Sequence, residues 1–291
     1  MVPNKSPRHR DTQGVAVQNQ LSPNGQLQER AGYFPVSGAH LYTVLHEVEK
    51  PVARVLLVSP FASERHNSYL PWVRWARSLA AEKIEVLRYD YRGIGESTGD
   101  FEQMTFNDWS EDVRLLSAWL ADRPPHAPLV LHGLGMGAVL AGRAFDAGLG
   151  DALLLWSAPA NANQALRTTL MRWVGLEQIF KFGPDRKSAS DYIRELEQGL
   201  PLEVDGYRWP VSLWRDSFEF TLPAALKSEE SAAQKYKRPV RIVKLAREAA
   251  PLAKGGLVGY DDLKDFNWLY APNREWIASA AAQMNKGIAY A

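Results

Sequence analysis

The stretch Leu129-Val130-Leu131-His132-Gly133-Leu134-Gly135-Met136-Gly137-Ala138 constrains this chain more than any other. Residues 129–131 form a short apolar run of the kind that is buried on both faces, and residues 136–147 carry helical periodicity. Glycines at 133, 135 and 137 separate the two. The chain therefore turns from strand to helix almost at once, and residues without a Cβ let the two pack closely. A strand running straight into a packed helix is the unit from which parallel sheets are built.

The surrounding chain repeats that texture. Residues 54–58 read as a strand closed by Ser59-Pro60, and residues 69–82 as a helix burying Leu70, Val73, Trp75, Ala76, Leu79 and Ala80. A strand at 84–87 ends in the glycine-rich loop Asp90-Tyr91-Arg92-Gly93-Ile94-Gly95-Glu96-Ser97; a helix at 106–120 and a strand at 152–156 follow. Ahead of these, 31–36 and 40–49 read as a hairpin around Ser37-Gly38. The fold class is α/β, a mainly parallel sheet with helices on both faces. The alternation breaks at residues 161–237, which look helical with no convincing buried strand; a strand resumes at 240–245 and a last helix covers 273–284. This divides the chain into a core of 29–160 and 238–291, a helical cap insertion at 161–237, and a disordered polar tail at 1–28.

Composition excludes several classes. Lys+Arg 34 against Asp+Glu 33 gives a net charge of +1 and no electrostatic reason for a nucleic-acid partner. Without cysteine there is no disulfide, thiolate catalysis or cysteine metal site, and neither a metal nor another cofactor is expected. No apolar run approaches the ~20 residues of a membrane span, so no transmembrane segment is expected. The N-terminus lacks the apolar core of a signal peptide, which makes the cytoplasm the expected location. A dinucleotide-binding loop needs Gly-x-Gly-x-x-Gly after a first strand; here position 138 is Ala, Asp146 and Asp151 stand at the wrong distance, and the loop lies deep in the strand order.

The glycine stretch resembles the nucleophile elbow of the α/β-hydrolase superfamily, Gly-x-Ser-x-Gly between a strand and a helix. Gly133 and Gly137 match the flanking glycines and Gly135 stands in the nucleophile's place. The loop from Asp90 to Ser97 is similar to the Asp-x-Arg-Gly-x-Gly-x-Ser loop of that superfamily, and the resemblance covers most of 54–159. Within it the chain looks most like bacterial hydrolase-like proteins associated with exosortase and exopolysaccharide systems. The matching pieces are Ser59-Pro60-Phe61-Ala62-Ser63-Glu64, the run from Gly95 to Phe101, and Leu202-Glu203-Val204-Asp205-Gly206-Tyr207. In that subgroup the elbow need not present an ordinary serine.

The superfamily's triad runs Ser, then Asp or Glu, then His. Here Gly135 offers no nucleophile, and the histidines at 9, 40, 46, 66, 126 and 132 all precede the elbow. Glu248 falls near the acid's place but has no histidine to orient. The resemblance implies that two backbone amides of an oxyanion hole survive, those of Phe61 and Met136, at a helix N-terminus that favours anions. Ser63 and His66 are a candidate relocated pair in the loop after residue 58, against the plainer reading of a solvated polar loop. His132 is a candidate base, against a histidine hydrogen-bonded in a buried strand. Asp90, Arg92 and Ser97 read as structural. Trp173, Trp209 and Trp214 either line an apolar pocket or anchor the cap.

Three readings of function follow, in order: a non-catalytic protein binding a small acyl or anionic ligand or a protein partner; a hydrolase or acyltransferase acting on ester or acyl substrates through a rebuilt site; and a structural subunit of an exopolysaccharide- or exosortase-related system.

Overall fold

The computed structural model describes residues 19–21, 28–180, 187–245 and 267–288. In chain order the core opens with β1 (Asn19–Leu21), β2 (Gln28–Val36), β3 (Ala39–Glu47), β4 (Ala53–Val58), α1 (Ala62–Ala81), β5 (Ile84–Tyr89) and α2 (Phe106–Ala121). It continues through β6 (Leu129–Leu134), α3 (Met136–Asp146) and β7 (Ala152–Trp156). Between β7 and β10 (Val240–Val243) come α4 (Ala162–Phe180), α5 (Ala189–Glu197), β8 (Leu202–Val204), β9 (Tyr207–Trp209), α6 (Val211–Glu219) and α7 (Glu229–Lys235). The last described element is α8 (Asn267–Ile288).

The 8-stranded sheet has the order β1-β2-β3-β5-β4-β6-β7-β10. Its first three strands are antiparallel, β3 pairs antiparallel with β5, and β5, β4, β6, β7 and β10 run parallel. Strands β4, β6 and β7 sit inside the sheet, buried along both faces and apolar apart from Arg54 and His132. On one face α1 and α8 bury Trp72, Trp75, Leu79, Tyr270 and Ile277 against Val55, Val86 and Val130. On the other, α2 and α3 join the helices after β7 over Leu56, Leu131 and Leu153. Helix α2 shows how sequence sets such an element. Thr105 and Asp108 form a reciprocal cap, and Phe106, Trp109, Val113, Leu116 and Leu120 give one buried stripe.

The Asp90–Ser97 loop serves structure. Asp90 receives both Arg65 Nε and Nη2, at 2.9 and 2.6 Å, and Ser97 Oγ donates to the Asp90 carbonyl at 2.6 Å. Arg92 is buried against Asp112, with Nε 2.8 Å from Oδ1.

Several boundaries differ from the sequence reading. Helix α1 begins at Ala62 and α8 at Asn267, ahead of the starts at 69 and 273 read from the sequence, and each carries a proline inside it, Pro71 and Pro272. Residues 63–66 are thus helical turns, which corrects their reading as a loop. Asn19–Leu21 pairs with β2, so this part of the polar N-terminal segment is an edge strand and not disordered; 1–18 and 22–27 lie outside the described residues. Residues 161–237 also hold a small hairpin, β8–β9, that buries Leu202, Val204 and Trp209. Its turn, Asp205-Gly206, has φ of 49° and 80°, the left-handed pair that such two-residue turns require.

Candidate functional site

Gly135 closes β6 and caps α3 with φ 56° and ψ −124°. That backbone is strained for any residue with a Cβ and places position 135 at the sharp turn between strand and helix. The flanking glycines are needed for contact. A Cβ on Gly137 would lie 2.1 Å from the Val58 carbonyl oxygen and 2.3 Å from that of Ser59, and one on Gly133 would lie 2.4 Å from the Gly137 oxygen. The Gly135 N–H donates to Trp156 O at 3.0 Å and fixes the turn to β7.

A cavity of about 660 Å³ opens beside Gly135. Pro60 and Glu64 reach it from the start of α1, Gln164, Thr168 and Arg172 from α4, and Lys244 from just after β10. Ser157 is held in the left-handed region at φ 47°, with its Oγ accepting the Leu245 N–H at 3.1 Å, and this joins the segments that follow β7 and β10 at the cavity wall.

Glu64 stands beside position 135, where glycine presents no side chain. Its Oε2 lies 3.0 Å from where a Cβ on Gly135 would stand. Among the described residues its carboxylate has neither a hydrogen-bond donor nor an ion-pair partner in direct contact. Burial pushes this carboxyl above the usual carboxylate range, and the nearby Arg172 charge offsets only part of that. Arg172 itself bonds Asp205 in the β8–β9 turn, Nη2 to Oδ2 at 3.1 Å.

The sequence candidates divide. Phe61, the residue before α1, and Met136, the first residue of α3, are not among the lining residues; each adjoins one in the chain, Pro60 and Gly135, and both side chains are buried in the core. Their N–H groups have no acceptor among the described residues, so both are available as donors. His132 lies within β6, fully buried, with Nδ1 3.0 Å from Leu154 O and its ring packed against Trp72, Trp75 and Trp156. Burial lowers its pKa to about 3, so the ring is neutral and the backbone contact fixes the proton on Nδ1. His132 faces the side of α1 and α8, away from the cavity. His66 is exposed and lines a different depression, with Tyr33, Tyr42, Tyr69 and Arg88. Ser63 stands one residue into α1. Glu248 lies outside the described residues. Trp209 and Trp214 are buried in the core and are anchors, while Trp173 packs on Tyr192, and none of the three lines the cavity.

Sequence reasoning missed Glu64, Arg172 and Lys244 as site residues. For Glu64 a signal existed: it stands three residues after Phe61, in the first turn of the helix that follows the strand beside the elbow strand. Arg172 and Lys244 reach the cavity only through the packing of α4 and β10, which no local pattern shows. Among the described residues no cluster of three or more acidic or histidine side chains could hold a metal ion, and no helix is long and apolar enough to cross a membrane.

Comparison with known proteins fits this geometry. Residues 49–182 match the family described as serine aminopeptidase, S33. No curated protein matches the chain. Among solved structures, the α/β-hydrolase GrgF from Penicillium sp. sh18 is 16% identical, with 87% of this chain and 99% of that one covered at a TM-score of 0.54. Alpha/beta hydrolase domain-containing protein 10 from mouse is 16% identical, covering 88% and 98% at 0.50. Est1E from Butyrivibrio proteoclasticus, solved with ferulic acid bound, is 16% identical, covering 73% and 88% at 0.50. At such identities the likeness is one of fold. Joined to the strand order and the turn at Gly135, it shows that this chain has the α/β-hydrolase fold.

Proposed function

We propose that this α/β-hydrolase-fold protein binds a small organic ligand in the cavity beside Gly135 and does not use serine-hydrolase chemistry. One observation carries the reading: the nucleophile's seat holds the unpartnered carboxyl of Glu64 and no nucleophile–base pair. A serine elsewhere would need a base within hydrogen-bond reach, and among the described residues no histidine lines the cavity. The available amides of Phe61 and Met136 support recognition of a ligand oxygen, since backbone donors do not depend on the lost side chains. Residues 161–237 act as a cap, with α4 supplying one wall of the cavity. The protein works in the cytoplasm.

The test is turnover of p-nitrophenyl esters from acetate to octanoate, with the intact mass recorded after fluorophosphonate treatment. The expected result is no turnover above background and no covalent adduct. A stoichiometric adduct on any serine, or ester turnover that Glu64→Gln abolishes, would instead establish a rebuilt hydrolase site.

A further inference from the structure

Glu64 decides what the cavity can accept. Its carboxyl faces the space beside Gly135 without a donor among the described residues, which is unfavourable for a charged carboxylate and tolerable for a neutral acid. As an acid it presents one O–H donor. Among the described residues, the other charged groups on the cavity wall are cations: Arg172, tied to Asp205, and Lys244, which is exposed and has no ion-pair partner there. No charged group comes from β6, from α3 or from the segment after β7. On α1 itself, Arg65 is turned to Asp90 at 2.6 Å, and His66 lines the other depression. The rest of the wall is largely apolar, with Pro60, Pro71, Leu134, Ala158, Pro159 and Ala165.

We propose that the cavity is a binding site for an organic monocarboxylate, its head group held between Glu64 in the acid form and Lys244, its apolar body along the proline-lined wall. This rests on the reading of the cavity as a ligand-binding site. An acid and a carboxylate share one proton in a short charge-assisted hydrogen bond, whereas two carboxylates at that distance repel. Burial already holds the Glu64 carboxyl above its usual range, which favours the form the ligand needs. Binding is therefore linked to protonation, and affinity falls by about tenfold per pH unit above the Glu64 pKa of the free protein.

The experiment is calorimetric titration of the whole protein with octanoate between about pH 5.5 and 8, a range in which octanoate stays ionised. Octanol and octylamine are run alongside. Octanoate is expected to bind in preference to both, and more tightly at the acid end. Glu64→Gln keeps a neutral donor and cannot ionise, so it is expected to bind octanoate at every pH as the wild type does at the acid end. Lys244→Ala is expected to weaken binding by about two- to fivefold, as for an exposed ion pair. No octanoate binding at the acid end, loss of binding in Glu64→Gln, or a pH dependence that persists in it would overturn the proposal. Preferred binding of octylamine or octanol would also overturn it, yet leave the cavity a ligand site; ester turnover would remove that reading as well.

Discussion

The Oε2 atom of Glu64 lies 3.0 Å from the point where a side chain on Gly135 would begin. The two positions are complementary: glycine at the elbow presents no side chain, and a carboxyl from α1 stands beside it. The elbow's shape is kept all the same, with φ 56° and ψ −124° at Gly135, because glycine takes that conformation freely.

The elbow glycines at 135 and 137 are held for different reasons, so their substitutions should rank. At Gly135 the obstacle is backbone strain, and the nearest atom is the movable end of Glu64; Gly135→Ala is expected to cost about 1–3 kcal/mol. At Gly137 the obstacles are the Val58 and Ser59 carbonyl oxygens, main-chain atoms of the sheet that cannot yield. Gly137→Ala is expected to cost more than about 3 kcal/mol, beyond the usual range for overpacking, or to prevent folding. Urea denaturation of the two variants measures the order, and equal costs would show that the helix does not press against β4 as described.

Acid should destabilise the protein partly through His132. Its pKa is lowered to about 3 by burial, whereas in the unfolded chain it lies near the ordinary value of about 6.5. Below that ordinary value the unfolded chain binds a proton that the folded chain refuses. The stability gained from a neutral His132 is therefore complete above about pH 6.5 and is lost as pH falls toward 3, by about 1.4 kcal/mol per pH unit. His132→Leu removes this slope whatever it does to stability at neutral pH. Denaturation midpoints at several pH values between about 4 and 7 read it out, and a variant with the wild-type slope would show that His132 does not stay neutral.

The parallel core was legible because its signals are local. The apolar runs at β4, β6 and β7, the helical stripe of α2 and the glycine turn all lie in contiguous residues. The glycine at the elbow and the place of every histidine ahead of it are read in the same way, from residue identity and chain order. The helix starts were hidden by Pro71 and Pro272, which tertiary packing accommodates; the carbonyl of Pro71, for instance, accepts from Tyr270 Oη at 2.7 Å. The hairpin β8–β9 was hidden by its brevity, although Asp205-Gly206 marks its turn. What fills the vacant site was not legible. Glu64, Arg172 and Lys244 come from α1, α4 and the segment after β10, and only the folded sheet brings them to one cavity.

The most direct test of the central claim restores the missing hydroxyl. Gly135→Ser places a serine at the elbow, next to the Glu64 carboxyl and with the Met136 amide adjoining, but with no histidine on the cavity wall among the described residues. A serine without a base is a poor nucleophile, and an oxyanion hole with binding alone yields roughly 10³–10⁴ over water, which ester assays do not resolve from background. The measurement is the intact mass of the folded variant after fluorophosphonate treatment, with p-nitrophenyl ester turnover beside it. The account predicts an unmodified protein and background turnover. A stoichiometric adduct on the new serine, with turnover that depends on it, would show that a working base already stands at the elbow and would contradict the reading of this site as a binding cavity.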